Sequence, residues 1–469
     1  MKRILIVLSI MMSLCLFGLV EVNAQTYYVD ASSKSSSADG SVENPFRTIQ
    51  DAVDIVKAGD EVIVMPGLYY ESVTMKKSGT ADKPIIIRAA DPGENKTIIT
   101  CANKDIREKN VKWICADPSL NLYYVPYDRN VGSILYNGAK MFAYKSLEEL
   151  KTFRAWFGKQ KDHTSTMDGF FHGYYYDKEA KRLYVRIGDG SKYGDTDPNK
   201  NLMAVGGPYY DNVKVNGVAE TTVYRRSGIS TDSYCFGVVT ENSANVIISG
   251  FTFEVPGWAG VFCRANDVTV DNCWFKGCFS GIAGGRYNAY DQWISENVTM
   301  QSCDWNLWPT FDDGVEAQKR LTSAYPWRWW CTKTLDWGVF DYEAGGVLTQ
   351  VGKNWTLKDS KVYQCLDGLS SGCLDGYYVY SSKYGTNYIL GNADGLIIDG
   401  CHFYDVLDNA VEFENHGKNI EMFDCEVGNA LEHISWQPLD GEPWPTNILV
   451  HNNVFKTDQW FMDLVYETI

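Results

Sequence analysis

Seven segments of the chain repeat one pattern: a short alternating apolar strand, a polar turn, then a resumption of apolar or aromatic residues. They start at Val246 (VIISGFTF), Val268 (VTVDNCWF), Val298 (VTMQSCDW), Trp355 (WTLKDSKV), Leu396 (LIIDGCHF), Ile420 (IEMFDCEV) and Ile448 (ILVHNNVF). Successive starts lie 22, 30, 57, 41, 24 and 28 residues apart. The short intervals fit one coil of a solenoid, and those of 57 and 41 require extra coils or inserted loops. Such a unit cannot bury its apolar side alone. Stacking coils buries it and pairs the strand edges. Six of the seven segments follow directly on Asn or Asp (Asn245, Asp267, Asn297, Asn354, Asn419, Asn447), residues that tolerate a left-handed turn.

A second strand follows most repeat starts, at Val261 (VFCR), Ile282 (IAGG), Val315 (VEAQ), Leu369 (LSSG), Val411 (VEFE) and Ile434 (ISWQ). Alternation turns residues one and three of each tract inward and residues two and four toward solvent. Cys273, Cys303, Cys401 and Cys425 share one repeat position, which reads as an inward column of small thiols rather than as disulfides.

The N-terminal third is built differently. Lys2 and Arg3 precede an apolar run over 4–20, and Val22, Asn23 and Ala24 supply small residues before Gln25. Residues 1–24 therefore read as a secretory signal peptide. Secretion or a periplasmic location follows, with no membrane insertion after cleavage. Residues 25–100 hold a first strand at 27–30, strands at 61–65 and 85–88, and an amphipathic helix over 48–58 ending at Gly59, which would close the open end of the coil stack. Residues 101–240 break the repeat. Tyr174–Asp177 and Arg182–Arg186 belong there to an inserted β-rich subdomain. Residues 241–469 are the coils, interrupted by an aromatic loop near 304–345 that walls the groove.

The opening stretch YYVDASS…DGSVENPFRTIQDAVDIVKAGDEVIVMPGLYYESVTM…KPIIIRAA resembles the start of pectate-lyase-like β-helix proteins. The resemblance spans most of 26–100 and 240–455. It implies an all-β chain, a right-handed single-stranded parallel β-helix with an N-terminal helical cap and the inserted subdomain. It also implies a carbohydrate-active protein, glycoside hydrolase or polysaccharide lyase. DKEAKRLYVRIGDG is similar to a segment that flanks the sugar cleft in hydrolase-like members. The resemblance does not choose the reaction, because one fold hosts several chemistries.

Charge narrows the partners. The full chain carries a formal −16, and loss of Lys2, Arg3 and Glu21 leaves −17. That argues against nucleic acid, which needs a basic surface, and disfavours a naked polyanionic glycan. Fifteen Trp and thirty Tyr suit stacking on sugar rings as well as core packing. The expected partner is a polysaccharide or oligosaccharide, and the expected state a monomer.

Cleaving a glycosidic bond takes two carboxyls, or a base with a cation. Glu412 and Glu414 in VEFE alternate outward on one strand. Glu412 aligns with Glu316 and Ser435; Glu414 aligns with Gln318, Gln437 and Arg264. Glu316 belongs to the acidic run 312–316. Glu343, in the Glu-Ala-Gly-Gly tract, resembles a tract of glycan-processing β-helices. The expected catalytic set is Glu412, Glu414, Glu343 and Glu316. Asp313, Trp329, Trp330, Trp337, Arg264, His416, His433 and Gln437 are the expected substrate contacts. No metal or other cofactor is expected for a hydrolase using paired carboxylates. The alternatives are a calcium-dependent lyase on a uronate glycan, which needs Ca²⁺ and a basic side chain, and a non-catalytic glycan-binding β-helix.

Overall fold

The structure, a computed structural model, describes residues 24–129, 131–156, 166–168, 172–189, 191, 193–207, 214–215, 218–219, 236–257, 259–278, 280–284, 295–306, 348–349, 352–365, 368–370, 379–381, 386–388, 394–413, 418–435 and 446–456. It is the parallel β-helix that the repeat requires, right-handed as parallel crossovers are. The strands form three parallel ladders. All seven repeat starts lie on one, running from Ile85 through Val246, Val268, Val298, Trp355, Leu396 and Ile420 to Ile448. A second runs from Ile98 through Thr252, Trp274, Asp304, Lys361, His402 and Glu426 to Val454. The third runs from Val73 through Val238, Val261, Ile282, Leu348, Leu369 and Val411 to Ile434.

The long intervals are insertions and not extra coils. Thr299 pairs directly with Thr356, and Trp355 with Leu396. The chain therefore leaves the coil stack and returns to the next rung both times.

The turns explain the Asn repeat. Asn245, Asp267, Asn297, Asn354, Asn419 and Asn447 all hold φ between 55° and 58°. Leu396, which lacks a preceding Asn or Asp, follows Gly395 at φ 78°, the residue for which that backbone costs least. The side chains also form a ladder: Asn297 donates to Asp267 at 2.9 Å, Asn354 to Asn297 at 3.2 Å, and Asn447 to Asn419 at 2.7 Å.

Inside, Phe253, Phe275 and Trp305 stack with centroids 5.2 and 5.1 Å apart. Trp305 is fully buried on the strand Asp304–Asn306. This corrects the expectation that the aromatic loop begins at 304: the described chain leaves the ladder only after Asn306. Cys273, Cys303, Cys401 and Cys425 are all buried and unbonded. Ser360 stands between the two pairs, its hydroxyl accepting from Cys303 N–H at 3.1 Å.

At the N-terminal end the helix is shorter than the periodicity suggests, Ile49–Val53, with Thr48 capping it. Val56 stays buried in the following turn, so apolar spacing outlasts the helix. Gln50 lends its side-chain amide to the outer edge of strand Val73–Met75, donating to Thr74 O at 3.1 Å and accepting from Thr74 N–H at 2.8 Å. An exposed strand edge is thereby covered.

Strands His172–Asp177 and Arg182–Ile187 pair antiparallel within a five-stranded sheet that has its own core around Val125, Leu183 and Val185. This part meets the coils through Arg107 and Glu254, paired at 3.1 Å with both side chains nearly buried. Among the described residues, no helix is long and apolar enough to cross a membrane.

Candidate functional site

The third ladder carries Glu412 and Arg264 among the expected site residues. Its inward residues Val261, Ile282, Leu369, Val411 and Phe413 belong to the main core. The residues between them point the other way. In register with Glu412 on this ladder stand Thr74, Phe262, Ala283 and Ser435, which alternate away from the core. Glu412 is the acidic member of this row, with Ser370 and Ser435 on the neighbouring rungs.

Glu412 ends the strand His402–Glu412. Five of the six second strands read from sequence lie on this ladder, and the Glu412–Ser435 alignment holds. The sixth, Val315 to Gln318, lies outside the described residues; among those, Leu348–Thr349 forms the rung beside Ile282.

Outward does not mean solvated here. Glu412 is only 3% exposed. Asn409 Nδ2 donates to Glu412 Oε1 at 2.7 Å, and Asn409 is itself buried. A buried carboxylate with a fixed amide donor is held in one orientation, since burying it without partners would be costly. The chemistry open to such a group is proton transfer, nucleophilic attack, or charge stabilisation at a reacting centre.

Arg264 lies two residues past Phe262, in the row that sequence alignment gives to Glu414. It is buried, and its N–H donates to Thr240 Oγ1 at 3.3 Å. Four rungs separate it from the Glu412 coil, roughly 19 Å at about 4.8 Å per rung. The two do not share one reacting centre. His433 lies on the strand paired with that of Glu412, two residues before Ser435. Its Nε2 meets Lys456 O at 3.1 Å and its ring stacks on Phe455 at 5.4 Å, a hydrogen-bonding and packing role at the last coil. Glu414, Glu343, Glu316, Asp313, Trp329, Trp330, Trp337, His416 and Gln437 lie outside the described residues.

Elsewhere burial raises the carboxyls of Glu71 and Asp304, and both have structural partners. Glu71 accepts from Ile49 N–H and Gln50 N–H at 2.9 and 3.1 Å. Asp304 accepts from the Tyr363 hydroxyl at 2.7 Å. No group of three or more His, Cys, Asp or Glu suited to a metal occurs among the described residues. Asn409 was not legible as a site residue. Its only signal is the Asn-x-x-Glu spacing, which places its amide one short reach from the carboxylate.

By its own strand pairing, then, the chain is a parallel β-helix protein with a buried carboxylate on one outer face. No family model matches it. A 54-residue stretch is 41% identical to the uncharacterized protein YwoF of Bacillus subtilis (strain 168), covering 12% of this chain and 12% of that one. Among solved structures it is similar to a complex of XylC with xylose, at TM-score 0.43 and 11% identity over 92% of this chain and 86% of that one. It is also similar to a GH136 lacto-N-biosidase from Eubacterium ramulus, at TM-score 0.36 and 10% identity over 93% of this chain and 64% of that one. For the pectate lyase Pel9A the TM-score is 0.38 and the identity 11%, over 91% of this chain and 77% of that one.

Proposed function

We propose that the protein is a secreted glycoside hydrolase that cleaves a polysaccharide or oligosaccharide with paired carboxylates, one of them Glu412. The observation that carries this reading is the placement of Glu412: outward from the core, buried, and oriented by Asn409. A long strand face suits an extended glycan, because successive rungs repeat along it. Glu414, the next outward residue by alternation, is the proposed second carboxyl, with Glu343 as the further candidate. Substrate contacts are assigned to Trp329, Trp330, Trp337, Asp313, His416 and Gln437. The signal-like start over 1–24 supports export.

The test is activity on a glycan panel, with and without EDTA, for the wild type, Glu412→Gln and Glu414→Gln. Circular dichroism serves as the folding control. Metal-independent release of reducing ends, lost in Glu412→Gln, is the expected result. Full activity in Glu412→Gln removes it from the mechanism. An unsaturated uronate product that needs Ca²⁺ makes the protein a lyase. Binding with no product makes it a glycan-binding β-helix.

A further inference from the structure

Burial on the third ladder differs from burial on the other two. Phe262, Arg264, Ala283, Glu412 and Ser435 alternate away from the core there, yet none is more than 6% exposed. The same strands are open elsewhere. Ala259–Asp271 carries the buried Phe262 and Arg264, but its outward Thr269, on the first ladder, is half-buried. His402–Glu412 begins with a half-buried His402 on the second ladder and ends at the closed Glu412. Outward Ile397 on the first ladder is 40% exposed, and outward Lys361 on the second is exposed. Closure from solvent therefore belongs to one face of the coil and not to its strands.

This bears on how a glycan reaches Glu412. An enzyme that cuts inside a chain holds sugars on both sides of the reacting carboxyl, and so needs accessible side chains on the rungs to either side. Ser435, on the rung after Glu412, is closed. Phe262 and Ala283, on earlier rungs, are closed as well. Phe262 stands four rungs from Glu412, roughly 19 Å at about 4.8 Å per rung. Rung spacing alone would let an extended chain lie along this face; its closure on both sides of Glu412 does not.

We infer that Glu412 acts on chain ends and short oligosaccharides, so that the protein is exo-acting. A site that wraps its ligand on most sides suits a short ligand. Each cut adds one water across a terminal linkage and leaves a shortened chain and one small sugar. The inference rests on the proposed function above and deepens it by naming the substrate class.

Product profiles on xylan, mixed-linkage glucan and arabinan, each compared with its own hexasaccharide, test it. The expected result is one small product from the first time point, with viscosity nearly unchanged while reducing ends accumulate. Polymer chemically capped at both ends is expected to be cut at least about tenfold more slowly than free-ended polymer, as a closed site discriminates against an added group. Early loss of viscosity with a spread of intermediate lengths overturns the inference, as does an equal rate on capped polymer. If such internal cutting is lost in Glu412→Gln, the inference fails while the proposed function stands. Chain-end release at full rate in Glu412→Gln places the cutting at another site and overturns the inference together with the role of Glu412. If no glycan is cleaved, the hydrolase reading fails and calorimetric binding decides the rest. Hexasaccharide bound at least about tenfold more tightly than capped polymer, and more weakly by Glu412→Gln, upholds a chain-end site; equal binding, or none, overturns it.

Discussion

Asn409 and Glu412, three residues apart on one strand, are joined by a 2.7 Å hydrogen bond from the Asn409 amide to the Glu412 carboxylate, with both side chains buried. Under the proposed function, Glu412 is the reacting group and Asn409 the group that aims it. Glu412→Gln is expected to cut kcat by about 10²–10⁴-fold, the usual contribution of a positioned acid or base. Asn409→Ala leaves the carboxyl in place and loosens its orientation. It is expected to lower kcat by up to about 10²-fold, with KM little changed. Steady-state kinetics on the best panel substrate reads both. A loss confined to KM in Asn409→Ala would make Asn409 a substrate contact.

Gly281 and Trp305 predict a stability effect away from the site. A Cβ built on Gly281 collides with the Trp305 indole, and Trp305 cannot yield, because it is stacked on Phe275 at 5.1 Å in the closed interior. Overpacking of this kind typically costs about 1–3 kcal/mol. Gly281→Ala should therefore lower the denaturant midpoint, while Gly428→Ala, whose nearest neighbour is the Lys456 Cβ at 3.8 Å, should not. Equal midpoints for the two variants would mean that the stack relaxes freely.

The cysteine column predicts an inert set of thiols. Burial holds the Cys303 and Cys401 thiols well above their usual range, while the hydrogen bond from Cys401 lowers Cys425, which burial alone shields. Thiolate is the reactive form. Alkylation of the native protein should spare Cys273, Cys303, Cys401 and Cys425 and label the exposed Cys115. Mass spectrometry of native and unfolded samples checks this, and a disulfide-linked peptide containing any of these four would overturn it.

The sequence exposes the ladder because one physical demand recurs at each rung. A left-handed turn before each first strand calls for Asn, Asp or Gly, so Asn245 through Asn447 mark the rungs without any structure. The second strands at Val261, Ile282, Leu369, Val411 and Ile434 follow from alternation. Leu348–Thr349 escapes because two residues carry no period. Trp305 is misread for a related reason: it begins a Trp-rich stretch, and composition cannot separate the last core residue from the loop after it. Glu412 is found as outward. Its burial, and the Asn409 bond, depend on what packs over the face, which alternation does not encode.

Asp304 supplies a test of sign. It sits on the second ladder, not on that of Glu412, and accepts from the Tyr363 hydroxyl at 2.7 Å. Burial raises its carboxyl above the ordinary aspartate range, and the Tyr363 bond offsets this only in part. A raised acid binds its proton more tightly in the folded state. Its contribution to stability is thus complete below the unfolded aspartate value and is lost as pH rises through the folded one. Asp304→Asn cannot ionise, and its amide oxygen still accepts from Tyr363. The Tm difference, variant minus wild type, should therefore grow as pH rises above the ordinary aspartate value, about 4, and through the raised folded one. Thermal melts of both proteins at matched ionic strength read it. A difference that shrinks over that range would mean that the Tyr363 bond outweighs burial and that the folded protein favours the carboxylate.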